Sequence, residues 1–378
     1  MPEFRFIHSS DLHLGRRFGG MPEETRGRLV EARHQIVGSL ARAARTHAAQ
    51  HILVAGDIFD SETPSDQVWR QALAAMTADS ALHWWLIPGN HDSLAAESLW
   101  QRFRAHAAAN VHLIGDAEPV EIAAGVVLLP APAPSRYPGR DLTQWMESCA
   151  TEPGVLRIGL AHGAVQGFGE DDSAAAKIVP PDRAGTARLD YLALGDWHGH
   201  QQIGERTWYS GTPERDSFRH NGRGACLAVS IAAAGAPPNV EVVETGALTW
   251  RAQDLSLLAA QDGAGALAAT LPTDRSARRD HLLRFKATGR ATLAGRATLH
   301  DAADAVAPEF CFFALDDIAL QTEFEAADLD AIDRNGALRL AAESLSDAAQ
   351  DETRTADARQ VSAAALNRLY GYLKGERA

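Results

Sequence analysis

Three cysteines in 378 residues, Cys149, Cys226 and Cys311, are odd in number and stand in no metal-binding spacing. That excludes a disulfide scaffold and a thiolate metal site, and it predicts small buried thiols in a reducing, cytoplasmic compartment. No apolar run approaches membrane-spanning length, so no membrane partner is expected. The chain also shows no basic n-region ahead of the strand-like Phe4-Arg-Phe-Ile7. Positive charge is scarce: the net charge is −13, which argues against coating nucleic acid by bulk electrostatics but leaves room for a local basic groove. Between Asp301 and Asp333 there are ten acids and no Lys or Arg, whereas the N-terminal part carries Arg5, Arg16, Arg17, Arg26, Arg28 and Arg33.

What the chain does have is ordinary globular material, 46% apolar and 22% charged, with length for one large domain and a small one. Short apolar runs recur over 4–7, 51–55, 83–87, 120–129, 155–161 and 191–194, and they read as strands covered on both faces. Helices are expected over 29–49, from a Thr63 or Ser65 cap to about 78, over 95–106 and over 142–150. The stretch 167–185 reads as a loop over the site. Composition shifts near Gly246. Beyond it, 255–269 looks helical, 281–287 looks like a strand, and 362–374 carries Leu366, Leu369, Tyr370 and Leu373 at amphipathic helical spacing.

The strands end alike. After 4–7 come Asp11 and His13; after 51–55, Gly56-Asp57; after 83–87, Pro88-Gly89-Asn90-His91-Asp92; after 155–161, His162; after 191–194, Gly195-Asp196-Trp197-His198-Gly199-His200. A loop leaving a strand supplies reach and the strand supplies rigidity. A mixed oxygen and nitrogen set without Cys suits Mn²⁺, Fe²⁺, Mg²⁺ or Zn²⁺. Asp11, His13, Asp57, Asn90, His91, His162, Asp196, His198 and His200 make nine such groups, more than one ion needs. Two ions ~3.5–4 Å apart, bridged by a carboxylate and a hydroxide that attacks phosphorus in line, explain the surplus.

Asp11-x-His13, Gly56-Asp57, Gly89-Asn90-His91-Asp92, His162 and Gly195-x-x-His198 resemble the five motifs of the calcineurin-like metallophosphoesterases. Within that group the chain is similar to the SbcD-type DNA exonuclease subunits, through His8-Ser-Ser-Asp-Leu-His-Leu-Gly15, Gly56-Asp-Ile-Phe-Asp60, Asp190-Tyr-Leu-Ala-Leu-Gly195 and Tyr209-Ser-Gly-Thr-Pro213. The resemblance implies a four-layer α/β/β/α sandwich over 1–245 and a small C-terminal α/β cap with an acidic, helical tail over 246–378. It implies Asp57 as the bridging ligand, Asp11, His13 and His198 around one ion, and Asn90, His162 and the residue at 196 around the other. His91 would protonate the leaving oxygen or stabilise the transition state, with Asp92 orienting it.

Position 196 departs from the pattern, since family members commonly carry Gly-His-x-His there. Asp196 keeps the spacing, and as a harder ligand it favours Mn²⁺ or Mg²⁺; His200 is the alternative. Arg16, Arg17, Arg136 and Arg215 stand near the motifs as candidate DNA contacts, and Trp197 as a base-stacking surface. The function implied is Mn²⁺-dependent hydrolysis of DNA phosphodiesters in DNA repair, by a homodimer working with an SbcC-like coiled-coil ABC ATPase. The Leu366 stripe is expected to pack on its own small domain, with docking of that partner as the alternative. The rivals are a small-molecule phosphatase or cyclic-nucleotide phosphodiesterase on the same centre, and a metal-poor scaffold for the ATPase.

Overall fold

The computed structural model describes residues 3–167, 177–259, 261–323 and 336–374. It divides into two compact units, Met1–Trp250 and Arg251–Ala378.

The first unit is built on two six-stranded sheets. Its strands are β1 (Phe4–Ser9), β2 (His51–Ala55), β3 (His83–Ile87), β4 (Val111–Leu113), β5 (Val120–Ala123), β6 (Val126–Ala131), β7 (Leu156–His162), β8 (Ala164–Val165), β9 (Lys177–Val179), β10 (Tyr191–Gly195), β11 (Gln201–Gly204), β12 (Thr207–Tyr209), β13 (Ala225–Ile231) and β14 (Asn239–Glu244). One sheet has the order β14-β13-β1-β2-β3-β4, and the other β11-β12-β10-β7-β6-β5. β1 through β4 run parallel to one another, as do β6, β7, β10 and β12.

Alternation along the strands decides which layer each residue enters. Ile7, Ile52, Val54, Trp84 and Leu86 point outward into a core shared with α1 (Glu23–Thr46), α2 (Asp66–Thr77) and α3 (Glu97–His106). Their neighbours Phe6, Leu53, Ala55, Trp85 and Ile87 point the other way, against Leu128, Ile158, Leu160, Tyr191 and Ala193 of the second sheet. The far face of that sheet, with Leu129, Ala161, Leu192 and Leu194, lies under the fourth layer. The α/β/β/α order expected from the sequence is thus present, but its last layer is thin. It holds a 3₁₀ turn at Gln144–Glu147, where a helix over 142–150 was expected, and the single turn α4 (Arg183–Thr186). Polar tethering helps to hold this layer: the buried Arg157 guanidinium on β7 donates to the carbonyls of Met146, Cys149 and Ala187.

Two other expectations change. The run 120–129 is a hairpin, β5 and β6 paired antiparallel, because Gly125 takes φ +74° and turns the chain. In the second unit, 255–269 is not one helix. β15 (Thr249–Leu257) buries Leu255 and Leu257 and exposes Ser256 between them, a period of two. Asp262 then caps α5 (Gly263–Thr270) by accepting from Gly265 N–H at 3.0 Å. β16 (His281–Thr292) pairs in parallel with β17 (Phe312–Asp316) and β18 (Leu320–Glu323). α6 (Leu293–Val306), α7 (Ala337–Gln350) and α8 (Ala356–Lys374) complete the unit. Leu366 is fully buried with Leu293 and Ala342, and Leu369 packs beside it. That half of the stripe packs within its own unit, as the favoured reading of the sequence has it; the side chains of Tyr370 and Leu373 lie outside the described residues, as do 168–176 of the expected loop and 324–333 of the acidic block.

Candidate metal centre

The carboxyl ends of β1, β2, β3, β7 and β10 meet at one edge of the two sheets, where ligands bind in open α/β sheets. The exit loops are held by backbone pairing that continues past the strands: Asp11 N–H donates to Gly56 O at 3.1 Å, and His13 N–H to Asp57 O at 3.0 Å. Asp11, His13, Asp57 and Asp196 all adopt positive φ, at 53°, 44°, 53° and 102°. Non-glycine residues pay for that conformation, and four of them on strand exits aim side chains inward rather than along the strand. Gly195 is required for a different reason. A Cβ there would stand 2.0 Å from Ala55 O, so only glycine lets β10 approach β2 this closely.

Side chains from the five exits converge. Asp11, His13 and His198 offer donor atoms within 4.8 Å of one another, as do Asp11, Asp57 and His162, and a third set joins His13, Asp60 and His91. Asp57 Oδ2 lies 3.7 Å from His13 Nε2 and 3.6 Å from His162 Nε2, between the two groups. Asn90 Oδ1 lies 3.0 Å from His162 Nε2, and Asp196 Oδ1 3.8 Å from the same nitrogen. His198 Nε2 faces His13 Nε2 at 3.3 Å. Of the two alternatives for the last exit, Asp196 stands beside His162, whereas His200 is exposed at the head of β11.

His91 packs edge-on against His13, with ring centroids 4.8 Å apart, and its N–H donates to Asp57 Oδ1 at 2.9 Å. Its Nδ1 lies 3.1 Å from Asp60 O. Asp92 does not orient it. The Asp92 carboxylate is fully buried and accepts from Gly89 N–H at 2.8 Å and Phe59 N–H at 2.9 Å, tying two exit loops together. The ring's partner is the Asp60 carbonyl instead.

The electrostatics are those of a buried site short of positive charge. Burial, with Asp92 and Asp11 nearby, pushes the Asp57 carboxyl up to about 8 against the pull of His162. Burial alone would lower His162, but Asp57, Asp11 and Asp196 around it push the imidazole up to about 9. Burial raises Asp196 as well. A divalent cation among these groups relieves the carboxylate crowding, and carboxylate, amide and imidazole donors without thiolate suit hard to borderline ions. The residues therefore fit a divalent metal centre.

Three further residues belong to the site. Asp60, which a turn alone would explain, places Oδ1 3.4 Å from His13 Nδ1. Asp216 Oδ2 stands 3.1 Å from His198 Nδ1, and Ser10 Oγ donates to Asp11. The sequence signal for Asp216 was only its place three residues after Pro213. The basic candidates divide. Arg16 pairs with Asp60 at 3.4 Å and Asp216 at 3.2 Å. Arg215 is 6% exposed and donates to the carbonyls of His198 and Arg223, so it serves the loop and not a DNA backbone. Trp197 is half-buried against the cluster containing Leu194 and Tyr209, edge-on to His220. Arg17 and Arg136 are exposed, and Tyr137 beside Arg136 is 82% exposed.

Over residues 4–199 the chain matches the calcineurin-like phosphoesterases, and it belongs to that family, whose members hydrolyse phosphoester bonds. It is 28% identical over 256 residues to the SbcD component of the SbcCD nuclease of Rhodobacter capsulatus, covering 55% of this chain and 62% of that protein. It is 33% identical over 94 residues to the protein of the same name from Escherichia coli K12, covering 24% of this chain and 22% of that one. The chain thus matches less than two thirds of either relative. A dimetal phosphatase from Danio rerio aligns over 64% of this chain and 100% of its own, at 14% identity and a TM-score of 0.42. No helix among the described residues is long and apolar enough to cross a membrane.

Proposed function

We propose that this chain is a two-metal phosphodiesterase that degrades DNA in repair, in the manner of an SbcD-type nuclease. The observation that carries the reading is the convergence of Asp11, Asp57 and His162 with Asp11, His13 and His198, two donor sets sharing a carboxylate, in a chain similar to two proteins named as nuclease components. Asp11, His13, His198 and Asp57 would hold one ion, and Asp57, Asn90, His162 and Asp196 the other, with Mn²⁺ favoured by the added carboxylate. Two divalent ions held there supply charge for the phosphoryl oxygens and a more acidic water.

The chain's own residues do the rest. The Asp60 carbonyl fixes His91 Nδ1 as the protonated nitrogen, which leaves Nε2 to exchange a proton with the leaving oxygen. Asp57 Oδ1 accepts from the His91 backbone N–H, which tethers the acid's loop to the centre. The solvent-facing Arg17, Arg136 and Tyr137 supply phosphate and base contacts. An SbcC-like ATPase, a homodimer and a cytoplasmic address follow from the same kinship, the last in keeping with three free cysteines.

The test is degradation of end-labelled linear DNA by the purified chain with Mn²⁺, Mg²⁺ or EDTA, beside an aryl phosphodiester and a cyclic nucleotide. Mn²⁺-dependent loss of DNA supports the nuclease. Hydrolysis of the small substrates with DNA left intact assigns the centre to small molecules instead.

A further inference from the structure

Two of the imidazoles at the centre turn Nε2 toward it and Nδ1 away from it. His198 Nε2 faces Asp11 Oδ1 at 3.9 Å, and His198 Nδ1 meets Asp216 at 3.1 Å. His13 Nε2 faces Asp57 and Asp11, and His13 Nδ1 meets Asp60 at 3.4 Å. One Arg16 nitrogen joins the two outer carboxylates, 3.4 Å from Asp60 and 3.2 Å from Asp216. The result is a closed ring of side chains, His13–Asp60–Arg16–Asp216–His198, drawn from four loops, with His13 and Arg16 on the same one. Asp216 is 7% exposed, and a carboxylate that deep needs partners. Among the described residues it has His198 and Arg16, with the buried Arg33 guanidinium adding attraction.

We infer that Asp216 is a positioning residue for the ion held by Asp11, His13 and His198, and that Arg16 couples it to Asp60. A carboxylate on the outer nitrogen fixes the imidazole's tautomer, so that Nε2 carries the lone pair, and makes that nitrogen a better donor. Arg16 keeps the two carboxylates at a set spacing, and with it the two rings. The other donor set, Asp11, Asp57 and His162, contains no member of this ring and touches it only where Asp11 and Asp57 face His13. Asp216 therefore acts on one ion and not on both. This inference rests on the two-metal reading above.

Mn²⁺ titration of the full chain by calorimetry, with bound metal counted by elemental analysis, tests it without reference to turnover. Wild type is expected to bind two ions. Asp216→Ala weakens one site by about 10- to 100-fold, as loss of such a partner typically does, and leaves the other unchanged. Asp216→Asn, which keeps an acceptor for Nδ1–H, recovers part of the loss and serves if the alanine variant melts early. Arg16→Gln, at a residue one-third exposed, costs up to about fivefold at the same site. Two ions bound by Asp216→Ala and Asp216→Asn with wild-type affinities would overturn the inference while leaving the metal centre intact. Equal weakening of both sites in a folded variant would overturn it too. A wild-type chain that binds no Mn²⁺ would instead remove the two-metal reading, and this inference with it.

Discussion

Asp57 and His162 sit 3.6 Å apart in a pocket with two more carboxylates, and each has its protonated form favoured in the folded chain. A carboxyl raised to about 8 from an ordinary value near 4 stabilises the metal-free fold at low pH, and that contribution is lost as pH rises toward 8. The His162 imidazole is raised by the charge on Asp57, so the two titrate as one pair, and their shared proton is lost as pH rises through the same window. Metal ions displace these protons. At a fixed Mn²⁺ concentration the rise in Tm should therefore grow from pH 6 to pH 8.5 as Kd falls, with about 2.7 kcal/mol of stabilisation per site where Mn²⁺ stands a hundredfold above Kd. A Tm increment that is flat or falling with pH contradicts this protonation pattern. For His91, alanine is expected to cut turnover by about 10²- to 10⁴-fold, the usual worth of a positioned acid, while both ions remain bound. Single-turnover rates beside metal counts separate the two effects.

Among elements, the first sheet carries chemistry at one end and a histidine stack at the other. At the amino ends of β2 and β3, His51 stacks on His83 at 5.6 Å and accepts from Trp85 Nε1 at 3.1 Å, while Trp85 stacks on His112 at 4.0 Å. Burial, with His83 and His112 nearby, holds His51 down to about 4. A base depressed below its unfolded value near 6.5 contributes fully above pH 6.5, and that stability drains away between 6.5 and 4, at up to about 1.4 kcal/mol per pH unit. Tm should fall through that window, and His51→Gln, which keeps an acceptor for Trp85, should flatten the fall. At the loop after β6, the exposed Tyr137 stands beside Arg136. If it stacks on a base, Tyr137→Ala weakens single-strand DNA binding by about 1–3 kcal/mol; unchanged binding by fluorescence anisotropy removes it from the DNA path.

The whole molecule is acidic, at −13, and of the arginines nearest the centre Arg215 is buried and Arg16 is tied to Asp60 and Asp216. The exposed arginines on neighbouring loops are Arg17, Arg136, Arg140 and Arg219. With about two or three of them on phosphates, log K for DNA should fall against log salt with a slope of about −2 to −3. A slope near −8 would require a basic surface larger than Arg17, Arg136, Arg140 and Arg219 provide.

Much of this protein is local. Buried parallel strands need continuous apolar runs and two-faced burial, so β1, β2, β3, β7 and β10 could be read from short stretches, and the polar residues that follow each run mark its exit. Side chains that reach such an edge must sit within a few residues of the strand, so Asp11, His13, Asp57, Asn90, His162 and His198 could be picked out from sequence as candidate donors. What only the tertiary structure decided is which groups meet across loops. Asp216 stands eighteen residues after His198 and two hundred after Arg16, and no spacing rule brings it to His198 Nδ1. Folding made Arg16 a clamp between carboxylates, put Arg215 under the loop, and gave His91 the Asp60 carbonyl in place of Asp92. The physical reason is the same each time: strand direction is fixed by local sterics and burial, whereas the partner of a charged side chain is fixed by what else has been buried beside it.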